Sequence, residues 1–171
     1  MKKLSINLSN TQISIENSSY MSTDECITSF IKNIKKEKKI SIINWTPKNK
    51  NYPAYILLSG DKGILGYIDF CAINLSNNDL LDSISRDSIT LLNQIKIADS
   101  QLDRPIFFVY LIKITNREIV LFETNEQIKD RWLTNGLNSK IYHPIIEEMG
   151  NLDNLISIWT SLKQNTLRKK R

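Results

Sequence analysis

NYPAYILLSGDKGILGYIDFCAI, residues 51–73, decides how this chain is read. AYILL and ILGYIDFCAI are apolar, β-prone runs, and Gly60-Asp61-Lys62-Gly63 between them supplies turn residues, so the stretch predicts a hairpin. Its second strand carries one carboxylate, Asp69, alternating with Tyr67 and Cys71. Alternation alone allows Asp69 simply to face solvent from an edge strand. What else the chain brings to that strand therefore matters.

Working outward, SSYMSTDECITSFIKNIKKEKK upstream predicts a helix. Ser22 or Thr23 suits its start, Asp24 and Glu25 its first turn, and Cys26, Ile27, Phe30, Ile31 and Ile34 an apolar stripe. ISIINW is a β-branched strand. KLSINL and QISIE alternate about Ser9-Asn10 and predict a small N-terminal hairpin over residues 1–20. Downstream, a helical pattern runs from Asp79 to about Leu102 through Leu80, Leu81, Ile84, Ile89, Leu92, Ile95 and Ile97. RPIFFVYLIKI is a continuous apolar run suited to a strand buried on both faces, and REIVLFE is its natural antiparallel partner. NEQIKDRWL predicts a helix capped by Asn125, and HPIIEEMG to ISIWTSLKQ one or two more. The class is α/β (α+β): one domain over 1–171, with a mixed central sheet flanked by helices.

The bulk properties are compatible with this. At 171 residues the chain has one domain's length, and 23 Lys and Arg against 18 Asp and Glu give a net charge of +5. That balance favours anionic partners, nucleic acid first. Cys26 and Cys71 form no CxxC pair, and the reading is two reduced thiols in a cytoplasmic protein. MKKLSINLSN lacks the apolar stretch of a secretion signal, and no run approaches the ~20 residues that span a bilayer. His143 is the only histidine, so a His-pair metal site is excluded; it reads as a loop or packing residue. A Walker loop, GxGxxG, HExxH, an EF-hand loop and GxSxG are all missing. Trp45, Trp132 and Trp159 are too dispersed to form a stacking platform and read as core or interface anchors.

Helix, three strands, helix, strand, with Pro53-Ala54 opening one strand of the hairpin and Asp69-Phe70-Cys71 on the next, resembles the core of the PD-(D/E)XK (restriction-endonuclease-like) nuclease superfamily. The resemblance covers residues 22–123, leaving 1–20 and 124–171 as an N-terminal hairpin and a C-terminal helical extension. In that family the two strands carry Pro-Asp and Asp or Glu followed two residues later by Lys. Here Ala54 stands at the first carboxylate and Cys71 at the lysine, and only Asp69 matches. The loss at 54 reads either as a natural degeneration or as a deliberate Asp-to-Ala change.

The resemblance implies an endonuclease that hydrolyses phosphodiester bonds in DNA with Mg²⁺, or Mn²⁺ in its place, when the motif is intact, and one that is inactive or crippled as written. Two carboxylates hold the ion and a lysine orients the attacking water. It makes Asp69 the firm metal ligand, Glu25 on the first helix a second, and position 54 the gap. Lys62 or Lys96 is then the displaced charge donor. Lys48 and Lys50, with Lys62, are placed to contact phosphate, RNA is the other polymer, and a homodimer is an expected assembly. The competing class is a non-enzymatic interaction module, such as an immunity or inhibitor protein.

Overall fold

The computed structural model describes residues 6–7, 23–34, 40–45, 52–59, 63–75, 84–114, 117–135 and 140–169. Its elements are β1 (Ile6–Asn7), α1 (Thr23–Ile34), β2 (Ile40–Asn44), β3 (Tyr55–Ser59), β4 (Ile64–Leu75), β5 (Ile84–Asp87), α2 (Ser88–Ser100), β6 (Ile106–Ile114), β7 (Arg117–Thr124), α3 (Asn125–Asn135), β8 (Ile141–Tyr142), β9 (Gly150–Asn151) and α4 (Leu152–Lys169). Six strands form one mixed sheet in the order β2-β3-β4-β6-β7-β9, and β1, β5 and β8 form a second, smaller one. The protein is thus α+β, with a mixed sheet between helices. The order α1-β2-β3-β4-α2-β6 follows the expected core, with the short β5 inserted before α2.

β6 is apolar from Ile106 to Ile112 because both its faces are covered. Phe108, Tyr110 and Ile112 pack toward α2 and α3, while Phe107, Val109 and Leu111 pack toward α1 and α4. β4 runs parallel to β6 and divides its side chains the same way. Tyr67, Cys71 and Ile73 join the α2–α3 layer, whereas Ile68, Phe70 and Ala72 join the α1–α4 layer. In α1 the predicted stripe is the buried face, with Phe30 edge-on to Phe70 at 5.5 Å between ring centroids. Gly66 is needed where β4 meets the entry to β6, since a Cβ there would lie 2.9 Å from the Pro105 carbonyl oxygen.

Three local expectations change. The helix expected from Asp79 begins at Ser88, and Ile84–Asp87 is a strand. Asp87 starts the helix by accepting hydrogen bonds from Thr90 N (2.9 Å) and Thr90 Oγ1 (2.7 Å), which also hold its carboxyl below its ordinary pKa. Ile89, expected on the apolar stripe, is exposed. Asn125 does not cap its own helix. Its Oδ1 accepts from Ile106 N at 2.9 Å, and the cap is a reciprocal Thr124–Gln127 box. Of the N-terminal hairpin, only Ile6–Asn7 lies within the described residues, and it pairs parallel with β5. The β6–β7 hairpin forms as expected. The outer edge of β7 is covered by β9 at Leu121 and Phe122.

Candidate functional site

The register of the large sheet places the hairpin's key positions. β3 and β4 pair Tyr55 with Ile68 and Ile56 with Tyr67, and one further step along this register sets Ala54 opposite Asp69. Trp45 N donates to Ala54 O at 2.7 Å, so the β2–β3 ladder extends to Ala54. A strand residue turns its N–H and C=O to the same neighbour. Across β4, Ala54 therefore belongs to a non-hydrogen-bonded pair, the kind in which Cα atoms approach to about 4.5 Å and side chains are closest.

The same row continues across the sheet. Asp69 pairs with Phe108 on β6, and Phe108 pairs with Glu123 on β7. With strands about 4.8 Å apart, the backbone positions of Asp69 and Glu123 flank Phe108 at a separation of about 10 Å. All four positions lie on the α2–α3 face.

Arg86, from β5, lies over the middle of this row. Its guanidinium carbon is 4.9 Å from the centroid of the Phe108 ring and 5.9 Å from that of Tyr110. Nη2 donates to Asp69 Oδ2 at 2.7 Å and to Gln94 Oε1 at 3.4 Å, and Nη1 donates to Cys71 Sγ at 3.2 Å. Arg86 is 5% exposed and Asp69 is 21% exposed, so the cation sits on the core side of its carboxylate. Burial works against the Arg86 charge, but Cys71, Tyr110 and Asp69 beside it hold its pKa above the usual arginine value. Burial pushes the Cys71 thiol up to about 12, so at neutral pH it is a neutral acceptor and not a nucleophile.

Glu123 closes the other end of the row. It is almost fully buried, receiving Tyr110 Oη on Oε2 at 2.6 Å, Tyr142 Oη on Oε1 at 2.8 Å, and the Arg131 guanidinium on Oε1. Burial raises its carboxyl pKa, against these donors and Arg86, which lower it. The phenols of Tyr110 and Tyr142 are raised by burial and by Glu123, and so stay protonated as donors.

The sequence-predicted residues divide. Asp69 and position 54 are brought together. Glu25 does not join them: α1 packs on the Ile68 and Phe70 face, so Glu25 is exposed on the opposite side of the sheet from Asp69. Lys96 does not join them either. It is exposed on α2 two residues after Gln94, about 200° round the helix from the side that reaches Arg86. Lys48, Lys50 and Lys62 lie outside the described residues. His143 is an exposed loop residue after β8, its Nδ1 3.2 Å from Ile84 O. Trp45 is not isolated. It packs on Tyr52 (ring centroids 5.7 Å) and Tyr67 (5.2 Å), making an aromatic cluster beside Ala54.

Arg86 and Glu123 were missed, although each left a signal. Glu123 shares its alternation with Ile119 and Leu121, which face the core. Arg86 stands between apolar Ile84 and a helix-capping Asp87, a position that only a strand would turn inward.

A divalent ion does not fit these residues. Mg²⁺ takes oxygen ligands at close to octahedral geometry. Asp69 is the carboxylate at the hairpin, and it already holds a guanidinium; among the described residues no three His, Cys, Asp or Glu side chains gather. A cation on Asp69 would lie beside the Arg86 charge. Two unit charges 4 Å apart repel by about 4 kcal/mol at an effective dielectric near 20, and a divalent ion doubles that. On the other face, α1, β6, β7 and α4 enclose a groove of ≈ 260 Å³ that includes Cys26 and the Lys113–Glu118 ion pair. Burial, with Glu118 nearby, raises the Cys26 thiol pKa, so it too is no activated nucleophile.

Fold and site together define an α+β domain whose mixed sheet carries a row of two carboxylates, each held by an arginine. No family model and no curated protein matches the chain. Among the described residues, no helix is long and apolar enough to cross a membrane.

Proposed function

We propose that this chain is a cytoplasmic nucleic-acid-binding domain of the PD-(D/E)XK kind that holds DNA without cutting it. The observation that carries the reading is the pairing of position 54 with Asp69 on one face of adjacent strands, within the core order α1-β2-β3-β4-α2-β6. The net charge of +5 supports a polyanionic partner. Trp45 and Tyr52, half-buried beside Ala54, offer rings to bases, and such stacking contributes about 1–3 kcal/mol per base. Cleavage is not assigned to the chain as it stands. Ala54 supplies no carboxylate, and an arginine stays protonated far above neutral pH and cannot deprotonate water.

The test is the binding of labelled double- and single-stranded DNA, and of RNA, followed by fluorescence anisotropy between about 50 and 200 mM salt. Affinity for DNA should fall linearly on a log–log plot, and Trp45→Ala should weaken it. Plasmid incubated with Mg²⁺ should stay intact. No affinity for any nucleic acid at low salt would remove this reading in favour of a protein-interaction module, and plasmid cutting by the unaltered chain would overturn its non-cleaving part.

A further inference from the structure

We infer that Arg86 stands in for a divalent cation at Asp69: its guanidinium, delivered from β5, is the resident positive charge of the row, and the site takes no metal ion. This rests on the nuclease-like reading of positions 54 and 69, and it is tested without nucleic acid so that the two stand or fall separately.

Three features of the corner carry the inference. The first is depth. A surface ion pair leaves both partners hydrated, whereas Arg86 is 5% exposed and is fixed by Asp69, Cys71, Gln94 and the Phe108 ring, on the inner side of a carboxylate that still reaches solvent. The second is placement. Cys71 occupies the sequence position where the resembled motif has its lysine, and Cys71 Sγ is what Nη1 touches at 3.2 Å. The positive charge is therefore at the expected end of the strand but comes from another element. A long cationic side chain at 71 would have to occupy the same volume.

The third is charge balance. Asp69 with Arg86, and Glu123 with Arg131, make two neutral pairs along one row. Arg86 sits over Phe108, between the carboxylates. Removing a carboxylate at 54 and placing a buried guanidinium at Asp69 are complementary changes. Together they replace two anions and a bound dication by one anion and one built-in cation.

The inference predicts that metal affinity returns only when both changes are undone. Mn²⁺ binding is measured on the whole chain, free of nucleic acid, by the loss of the free-ion electron paramagnetic resonance signal and by calorimetry. The unaltered chain and Ala54→Asp should both fail to bind below millimolar Mn²⁺. Ala54→Asp combined with Arg86→Gln should bind roughly 10–100-fold tighter, the range over which neighbouring groups tune metal sites. Adding Asp69→Asn should abolish that gain.

A folded double variant that gains nothing would overturn the inference. So would Mn²⁺ uptake by the unaltered chain or by Ala54→Asp that is as tight as in the double variant and depends on Asp69. Should loss of Arg86 prevent folding, the unaltered chain and Ala54→Asp decide alone: uptake removed by Asp69→Asn refutes the substitution, and no uptake supports it. DNA binding can fail in the preceding test without altering any of these results.

Discussion

Asp69 with Arg86 and Glu123 with Arg131 are two ion pairs on one row of one sheet face, built in opposite ways. In the first the cation is buried and the anion is more open (5% against 21% exposed); in the second the anion is buried and the cation is more open (1% against 15%). The chemistry of the buried member decides what each pair can tolerate. A buried carboxylate can escape its charge by taking up a proton, and burial already raises the Glu123 pKa. A buried guanidinium has no such exit, because arginine does not lose its proton in proteins. The Glu123 cluster is consequently a sealed fastening of α3 and β8 onto β7, while the Asp69 corner faces outward beside Trp45 and position 54.

Breaking the pairs should expose this asymmetry. The largest effect is expected from Asp69→Ala, which strands the Arg86 charge in the core and should cost about 3–5 kcal/mol in urea unfolding. A loss under about 1 kcal/mol would mean that water reaches and solvates the Arg86 guanidinium. Arg131→Met should cost about 2–3 kcal/mol at neutral pH, through the charge-assisted hydrogen bond it removes from Glu123.

That second cost should depend on pH, with a definite sign. A carboxyl whose folded pKa lies above its unfolded value contributes stability that is present below the unfolded value and is lost as pH rises through the folded one. Arg131→Met removes a group that lowers the Glu123 pKa, so the pKa rises further. The penalty should be smallest in acid and grow as pH rises through the raised folded-state pKa of Glu123, above the ordinary carboxylate value of 4.5. Unfolding free energies at a series of pH values, with Glu123→Gln as the non-titrating control, measure it. A penalty that is flat with pH would show that Glu123 does not titrate in the folded protein.

Arg86→Met comes next, at about 1–2 kcal/mol, because it leaves an anion that can turn to water. It should therefore cost less than Asp69→Ala, although Arg86 is the more buried residue. The reverse order would contradict the comparison. The smallest effect belongs to Ala54→Asp. Like charges directly opposite across strands destabilise by about 0.2–1 kcal/mol, and the effect should vanish in an Asp69→Asn background if the two face each other.

Much of this architecture was legible in the residues. The α1 stripe, the β3–β4 hairpin and the two-faced β6 follow from periodicity, because burial on one or both faces dictates where apolar side chains recur. The β5–α2 junction was not legible. Ile84 satisfies the helical spacing of Leu80 and Leu81 as well as a strand, and the local hydrogen bonds from Thr90 to Asp87 settle the boundary. Asn125 is a plausible cap by type, but its amide is spent on Ile106 across the sheet, a contact that no local pattern encodes.

The pairing of 54 with 69 was legible because it depends on strand register. Which layer a helix joins is not encoded locally. The resemblance points to Glu25 and nearness in sequence to Lys96, and the packing of α1 and α2 turns both away. Arg86 reaches Asp69 across 17 residues, from β5 to β4, and its role rests on that tertiary contact.

The account depends most on residue 54 facing Asp69 across the hairpin, and a paired cysteine substitution measures this directly. In a Cys26→Ser, Cys71→Ser background, Ala54→Cys with Asp69→Cys is oxidised mildly and the linkage is mapped by mass spectrometry of proteolytic peptides. A non-hydrogen-bonded strand pair brings Cβ atoms near the roughly 3.8 Å that a disulfide requires. The account predicts a bond between residues 54 and 69 that forms readily in the folded chain and not in urea. Two thiols that stay reduced in the folded protein under these conditions would contradict it.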